Sequence, residues 1–582
     1  MDLRLSGAEA TAEERAAVDA LLDPLLGPRA ADDRAGPDSG HEARGRRHLL
    51  LPALHAVSDA VGTLTEGALN HVATRLSVPP ADVYGVATFY AMFTVEPRAP
   101  RVVHVCDDIA CGEELVAPLT AALGPEGEGE DVCWVRSPCL GLCERAPAVM
   151  FQLAGEPDFS HAPARPDDVV AAARGSATVA GAGTAADADV AFADPGVSVP
   201  QTRSPRGETL KLLRRIGVVD PASLDDYRAH GGYEALRRAV ELGSSRVVQE
   251  LKDSSLTGRG GAAFPTGVKW DGVAAAPVRP HYLVCNADES EPGTFKDRVL
   301  MEHDPFGLVE AMTIAGWATG CERGYLYIRG EYPLATRRLT HAIEEARRRG
   351  YLGEDVMGEG FTFDIELRRG AGAYICGEET ALLNSIEGFR GEPRNKPPFP
   401  SVSGLFGKPT VINNVETLYN VLQVLDIGGP TFASIGGERS TGTKLFCVSG
   451  AVATPGVYEV DFGTTLRELL TLAGGLRGEL RTILLGGAAG GFVMPDQLDV
   501  VLTLEGAREI GATLGSGVVP GSACPAGSGP SARRRRWPGW SAAPRSATAR
   551  PSSPCSTTWP ASCATRRSAV SARPRRLRCS RR

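Results

Sequence analysis

From Leu49 the chain reads LLPALHAVSDAVGTLTEGALNHVATRLSV, with apolar residues at helical spacing. Thr65 followed by Glu66 predicts the start of a second helix, and Pro79–Pro80 with Asp82 a third. Residues 48–95 therefore read as a helical hairpin or small bundle. The pattern then shortens. RVVHV runs as a buried strand into Cys106, DVCWVRS into Cys139, and AVMFQL follows Cys143. Strands alternating with helices predict a small α/β domain ending near 175. Residues 176–207 are rich in Ala, Gly, Asp and Pro with Phe192 as sole aromatic, so they read as a linker. Residues 208–435 alternate Gly-rich turns, strands such as HYLVCN and GYLYIRG, and helices such as ATRRLTHAIEEARRRG, which is α/β again. Residues 436–515 place the short strands TKLFCVSG, GVYEVDFG and TILLGG around the helix TLRELLTLAG, the pattern of a β-grasp-like domain.

Two segments fall outside this periodicity. Residues 1–47 are polar and read as a partly helical, partly disordered leader. From 516 onward Arg, Ser, Ala, Pro, Cys and Trp dominate, with almost no aliphatic repeat. These residues have GC-rich codons. A frameshift near codon 520 is the expectation, with a natural disordered basic tail as its rival.

Composition supports a multidomain globular protein. Of 582 residues, 43% are hydrophobic and 23% charged, and single cores stop growing near ~250–300 residues. No apolar run approaches the ~18–20 residues needed to span a bilayer, and the acidic N-terminus lacks a secretory signal. A cytoplasmic location is expected, with any membrane contact made through partners. Fourteen arginines lie between Gly521 and Arg582 with no Lys, Asp or Glu, so the rest carries −22 against the chain's −8. That excludes a uniform basic surface for nucleic acid.

Thirteen cysteines in a cytoplasmic chain point to metal or redox chemistry before disulfides. Cys106 and Cys111 form C-x4-C, and Cys139 and Cys143 form C-x3-C, each pair following a strand. Four thiolates so placed suit an iron–sulfur cluster or zinc. The spacing is wider than the usual zinc knuckle and leaves backbone N–H groups free to bond cluster sulfurs. Four unrelated buried thiols remain the alternative. Cys133 lies outside the pattern.

Four further blocks carry candidate chemistry. In TGRGGAAFPTGVKW, Gly258, Gly260 and Gly261 allow close backbone approach to a phosphate, and Arg259 and Lys269 add positive charge. The block is neither a dinucleotide fingerprint nor a P-loop. In CNADESEPGTFKDR, acids after a buried strand can accept ribose hydroxyls or sit beside a cationic nicotinamide; a solvated loop is the alternative. RRGAGAYICGEETALLNSIEG places Gly377, Glu378 and Glu379 at a helix start, offering an N-terminus to an anion, with the two glutamates opposing it. Cys376 reads as packing. In FRGEPRNKPPFPSVSGLFGKPTVINNVETL, one of Asn413 and Asn414 is expected to cap a helix and the other to face a ligand.

Two resemblances follow. PPADVYGVATFYAMF with CDDIAC and SPCLGLCERAPAVM makes residues 48–175 similar to the thioredoxin-like 2Fe–2S subunit of respiratory NADH dehydrogenases of the complex I type. The four blocks, in order, make residues 208–515 resemble the flavoprotein subunit of complex I and its relatives in NAD-dependent formate dehydrogenases and hydrogenase diaphorases. The implied fold is multidomain α/β: a helical hairpin, a thioredoxin-like 2Fe–2S domain, a Rossmann-like FMN/NADH domain and a β-grasp, SLBB-like domain. The resemblance implies a 2Fe–2S cluster on Cys106, Cys111, Cys139 and Cys143. It implies an FMN environment of Gly258, Arg259, Gly260, Lys269, Asn286, Asp288, Glu289, Tyr374, Gly377, Glu378, Asn413 and Asn414. It implies an NADH pocket of Gly261, Phe264, Glu291, Glu379, Lys396 and Phe399, with Phe264 and Phe399 facing the adenine and Glu291 near the nicotinamide.

The implied activity is NADH oxidation by a flavin and iron–sulfur oxidoreductase subunit: hydride from NADH to FMN, then single electrons to clusters and partner subunits of an NADH dehydrogenase, formate dehydrogenase or hydrogenase. The cofactor carries this chemistry, so no protein general base is expected. The family continues into a C-x2-C-x2-C motif plus a distant Cys that binds a 4Fe–4S cluster. That motif is absent here, and Cys524, Cys555, Cys563 and Cys579 are too scattered to replace it. A truncated, non-catalytic product is therefore the alternative. A thiol-exchange enzyme is disfavoured, because the thioredoxin-like part has no C-x-x-C.

Overall fold

Thr11 and Glu14 form a reciprocal capping box that starts the helix Ala12–Leu26. The helix buries Val18 and Leu22 against the helices Leu50–Val61 and Glu66–Leu76, and Asp19 and Asp23 pair with the buried Arg75. Part of the expected leader thus belongs to the helical unit, which the helix Pro80–Ala87 completes. The structure, a computed structural model, describes residues 7–27, 45–175 and 210–524. The linker at 176–207, all but the first residues of the tail, its frameshift reading and Cys555, Cys563 and Cys579 lie outside the described residues.

Three sheets follow in chain order. The first has the order β2-β1-β3-β4, from β1 Arg101–Cys106, β2 Val132–Ser137, β3 Val149–Leu153 and β4 Phe159–His161. β1 pairs parallel with β2 and antiparallel with β3. Val103, Val105, Trp134 and Phe151 close its core against the helices Val116–Leu123 and Pro166–Ala173. β1 is an interior strand, and its C-terminal end carries Cys106.

The second sheet is wholly parallel, with order β7-β6-β5-β8, from β5 His281–Ala287, β6 Cys321–Ile328, β7 Asp364–Arg369 and β8 Thr410–Asn414. The chain first moves outward from β5 to β6 and β7, then returns to the other side of β5 as β8. The strand order therefore reverses between β5 and β8. A crevice outside the carboxyl ends of strands at such a point is where doubly wound sheets bind ligands. The helix Pro305–Thr319 is buried almost all round, as a helix inside a large core must be.

The third sheet has order β10-β9-β13-β11-β12, from β9 Thr443–Gly450, β10 Gly456–Asp461, β11 Glu479–Leu485, β12 Gly491–Val493 and β13 Val518–Cys524. β13 is central, parallel to β9 and antiparallel to β11. The β-grasp domain consequently runs to Cys524, past the expected boundary at 515. The reason is tertiary: VVPGSAC has no alternation of its own, and β9 and β11 supply its hydrogen bonds. Val519 is fully buried there. Val519→Ala is expected to cost about 2 kcal/mol in the β-grasp domain, read by denaturant melting. A neutral result would place β13 outside the folded core.

Candidate functional site

Cys106 ends β1, and Cys111 lies on the turn that follows; Cys139 and Cys143 bracket the loop after β2. All four thiols are buried. Cys139 Sγ lies 3.3 Å from Cys143 Sγ, and the Gly141 amide donates to Cys139 Sγ at 3.4 Å. Cys106 shares hydrogen-bonding contact with both Cys111 and Cys139. Sharing hydrogens with Cys106 and Cys143 holds the Cys139 thiol well below its usual range, and its neighbours are pushed up in turn. Among the described residues no three His, Cys, Asp or Glu side chains converge as a single ion would require. Four thiolates that share two irons need not surround one point. A dry cage of four sulfurs with backbone N–H donors suits a 2Fe–2S cluster. Cys133 packs with Ala99 and Val102, apart from the cage.

The cage is closed by the flavin-type domain. Arg298 Nε donates to Gly141 O at 2.8 Å, and its other nitrogens reach Glu144 and Glu302. Arg329 donates to Cys139 O at 2.7 Å. Gly141, with φ near 68°, leaves no room for a Cβ beneath the Tyr332 ring. The sequence reading missed Arg298, Arg329 and Glu144. The available signal was a charged residue ending a buried strand, as Arg329 follows LYI in GYLYIRG.

At the β5/β8 crevice the parallel register sets Asn286 opposite Asn414 and Cys285 opposite Asn413. Asn286 Nδ2 donates to Gly377 O at 2.9 Å. Asp288 has a buried carboxylate oxygen with no hydrogen-bond partner, and a Cβ on Gly377 would point at it from 3.6 Å. A Cβ on Gly260 would come within 3.1 Å of Asn414. The orphaned acceptor of Asp288 and the close approach at Gly260 fit a ring cofactor that carries N–H or hydroxyl donors, such as FMN. Lys269 Nζ donates to Ile412 O at 2.8 Å beside the Phe264 ring, and burial lowers its pKa.

Several predicted residues also hold the scaffold. The Arg259 guanidinium is buried, donates to Thr257 and Thr441, and lies over Phe462 of the β-grasp domain. Its Nε is buried without a hydrogen-bond partner, and burial brings its pKa down to about 10. Glu289 turns inward and caps the helix Lys296–His303 through the amides of Asp297 and Arg298. Glu378 caps the helix Glu379–Ile386 through the amides of Thr380 and Ala381. The helix N-terminus expected to hold an anion is thus already filled by the chain's own carboxylate. Asn414 caps the helix Val415–Ile427, as one of the pair was expected to do. Asn413 Oδ1 accepts from Trp270 at 2.8 Å, so its oxygen is occupied.

The expected nucleotide pocket holds an open aromatic surface. Phe264 is 52% and Phe399 57% exposed. Lys396 Nζ pairs with Glu378 at 3.0 Å and Glu379 at 2.6 Å. Glu291 accepts from the Tyr374 hydroxyl at 2.8 Å and from the Ala488 amide, tying the crevice to the β-grasp domain. Gly261, with φ near 109°, lies beside Gly515 of that domain.

Burial raises the Asp288 carboxyl to about 7, partly opposed by Arg329. Its unfolded value is ~3.9. A raised native pKa contributes stability that is complete below ~4 and is lost as pH rises through about 7. Asp288→Asn in the apoprotein should remove that loss. Its stability gain over the parent should grow by roughly 2 kcal/mol between about pH 5 and 8, measured by urea melts. A gain independent of pH would show that Asp288 is charged throughout.

The comparisons with known proteins agree with this geometry. The Nuo51 FMN-binding domain family matches residues 251–423, the thioredoxin-like 2Fe-2S ferredoxin family residues 39–162, and the SLBB domain family residues 445–495. An F-type NADH-quinone oxidoreductase subunit of Rhizobium meliloti (strain 1021) is 50% identical over 313 residues, covering 53% of this chain and 74% of the relative. The chain belongs to the family of F-type NADH-quinone oxidoreductase subunits. A further relative is the NADP-reducing hydrogenase subunit HndC of Solidesulfovibrio fructosivorans, 47% identical over 52% of this chain and 62% of its own length. The chain therefore spans less than two thirds of that relative. A solved NAD+-reducing NiFe-hydrogenase in the air-oxidized state aligns at TM-score 0.67 and 31% identity, over 82% of this chain and 78% of that chain. In this member of the F-type family the thioredoxin-like and FMN-binding domains occur in one chain.

Proposed function

We propose that this chain is an NADH-oxidising diaphorase subunit that admits electrons to a larger oxidoreductase complex. The observation that carries it is the placement of both cofactor-type sites in one compact unit: a four-thiol cage closed by the flavin-type domain, and a crevice at the strand-order reversal of that domain. FMN, when bound, supplies a hydride acceptor that returns electrons singly.

The chain's own residues supply position and surroundings. Gly258, Gly260 and Gly377 open the crevice, with Asn286, Asp288, Asn413 and Lys269 around it. Tyr374 and Glu291 close one side, with the NADH nicotinamide end expected near Glu291. Phe264 and Phe399 offer faces to the adenine, with Gly261, Glu379 and Lys396 at the rim. The cage of Cys106, Cys111, Cys139 and Cys143 would hold a 2Fe–2S cluster.

The partners are other subunits of such a complex, in keeping with the named relatives. We place the protein in the cytoplasm. Its cage needs thiolates rather than disulfides, and among the described residues no helix is long and apolar enough to cross a membrane.

Anaerobic NADH should bleach the flavin absorption of the purified full chain, and NADH:ferricyanide reductase activity should follow. Protein that binds FMN but is not bleached by NADH would sink the proposal.

A further inference from the structure

The cysteine cage is touched by a second domain through a charged pair. Arg329 follows β6 and is buried. Its Nη2 donates to Cys139 O at 2.7 Å, and its Nη1 to Glu289 O at 2.7 Å. Glu331 Oε1 accepts from the same Nη2 at 2.8 Å, while Glu331 Oε2 is buried without a hydrogen-bond partner.

These contacts have a direct electrostatic meaning. Reduction adds one electron, hence one negative charge, to a cluster on these thiolates. A buried guanidinium hydrogen-bonded to the ligand loop stabilises that charge, and a buried carboxylate opposes it, because neither is screened by water. Net charge near the cluster, hydrogen bonds to the sulfurs and solvent exposure set iron–sulfur potentials. The second domain contributes both charged groups, and neither of them ligates iron.

We propose that Arg329 and Glu331 of the flavin-type domain set the reduction potential of the cluster held by Cys106, Cys111, Cys139 and Cys143. Arg329 raises it, and Glu331 lowers it. They are positioning and tuning residues. The inference rests on the reading of that cage as a 2Fe–2S site.

The test is a mediated redox titration of the reconstituted full chain, following the cluster's EPR signal, with iron and acid-labile sulfide measured on each sample. Arg329→Gln should move the midpoint to lower potential, and Arg329→Lys less far. Glu331→Gln, which removes charge while keeping shape, should move it to higher potential. Should Arg329→Gln not accumulate, Arg329→Lys and Glu331→Gln still carry the opposite-sign comparison. Shifts of one common sign, or no shift at full cluster content, overturn the tuning role. A parent chain that takes up no two-iron, two-sulfide cluster overturns the underlying reading instead.

Discussion

Cys139→Ala is expected to abolish the visible absorption and EPR signal of the 2Fe–2S cluster while the chain retains flavin. Cys139 is the hub of the cage: its sulfur contacts Cys106 and Cys143 and receives the Gly141 amide. In the proposed assignment the four thiolates are the whole donor set, so losing one leaves an iron without a ligand. The flavin crevice is built by other elements, β5, β8 and the glycine-rich loop after Thr257, so FMN binding should persist. Cys133→Ala is the control. It is buried in a separate cluster and should leave cluster content unchanged. If Cys139→Ala keeps a full cluster, or Cys133→Ala loses it, the ligand assignment is wrong.

The second large effect is expected at Arg298. This residue is 2% exposed and sits between Glu144 of the iron–sulfur loop and Glu302 of its own helix. It also donates to Gly141 O. Truncation to Ala leaves the buried Glu302 carboxylate and the Gly141 carbonyl without this cation, and leaves Glu144 with Arg145 alone. Breaking a buried ion pair from one side costs about 3–5 kcal/mol. Arg298→Ala should therefore lose about that much in urea melts and accelerate amide exchange in the 139–145 loop. Arg298→Lys should recover only part, because an ammonium cannot serve all three acceptors in their planar arrangement. A loss below about 1 kcal/mol would mean the domains are held together elsewhere.

The chain's local patterns carried a large part of the result. The two cysteine pairs stand at strand ends, where the short buried runs of sequence placed them. The α/β alternation after 208 became a parallel sheet, and the strand patterns around TLRELLTLAG became the β-grasp sheet. These features depend on residues close together in sequence: apolar periodicity, caps and turn glycines.

Tertiary structure decided which charged groups face a ligand and which hold the scaffold. Arg259, Glu289 and Glu378 sit in ligand-like blocks, and each also bonds a backbone or side-chain partner of the scaffold. Whether a charge is free or spent depends on neighbours up to 182 positions away, as with Arg259 and Thr441. The same holds for β13, whose place at the centre of a sheet comes from β9 and β11 rather than from its own pattern. The sequence by itself determined the kinds of elements and the candidate thiolates, because propensity and spacing are local. Only the folded chain decided the closure of the cage by Arg298 and Arg329, because burial makes a charge valuable only once its partners surround it.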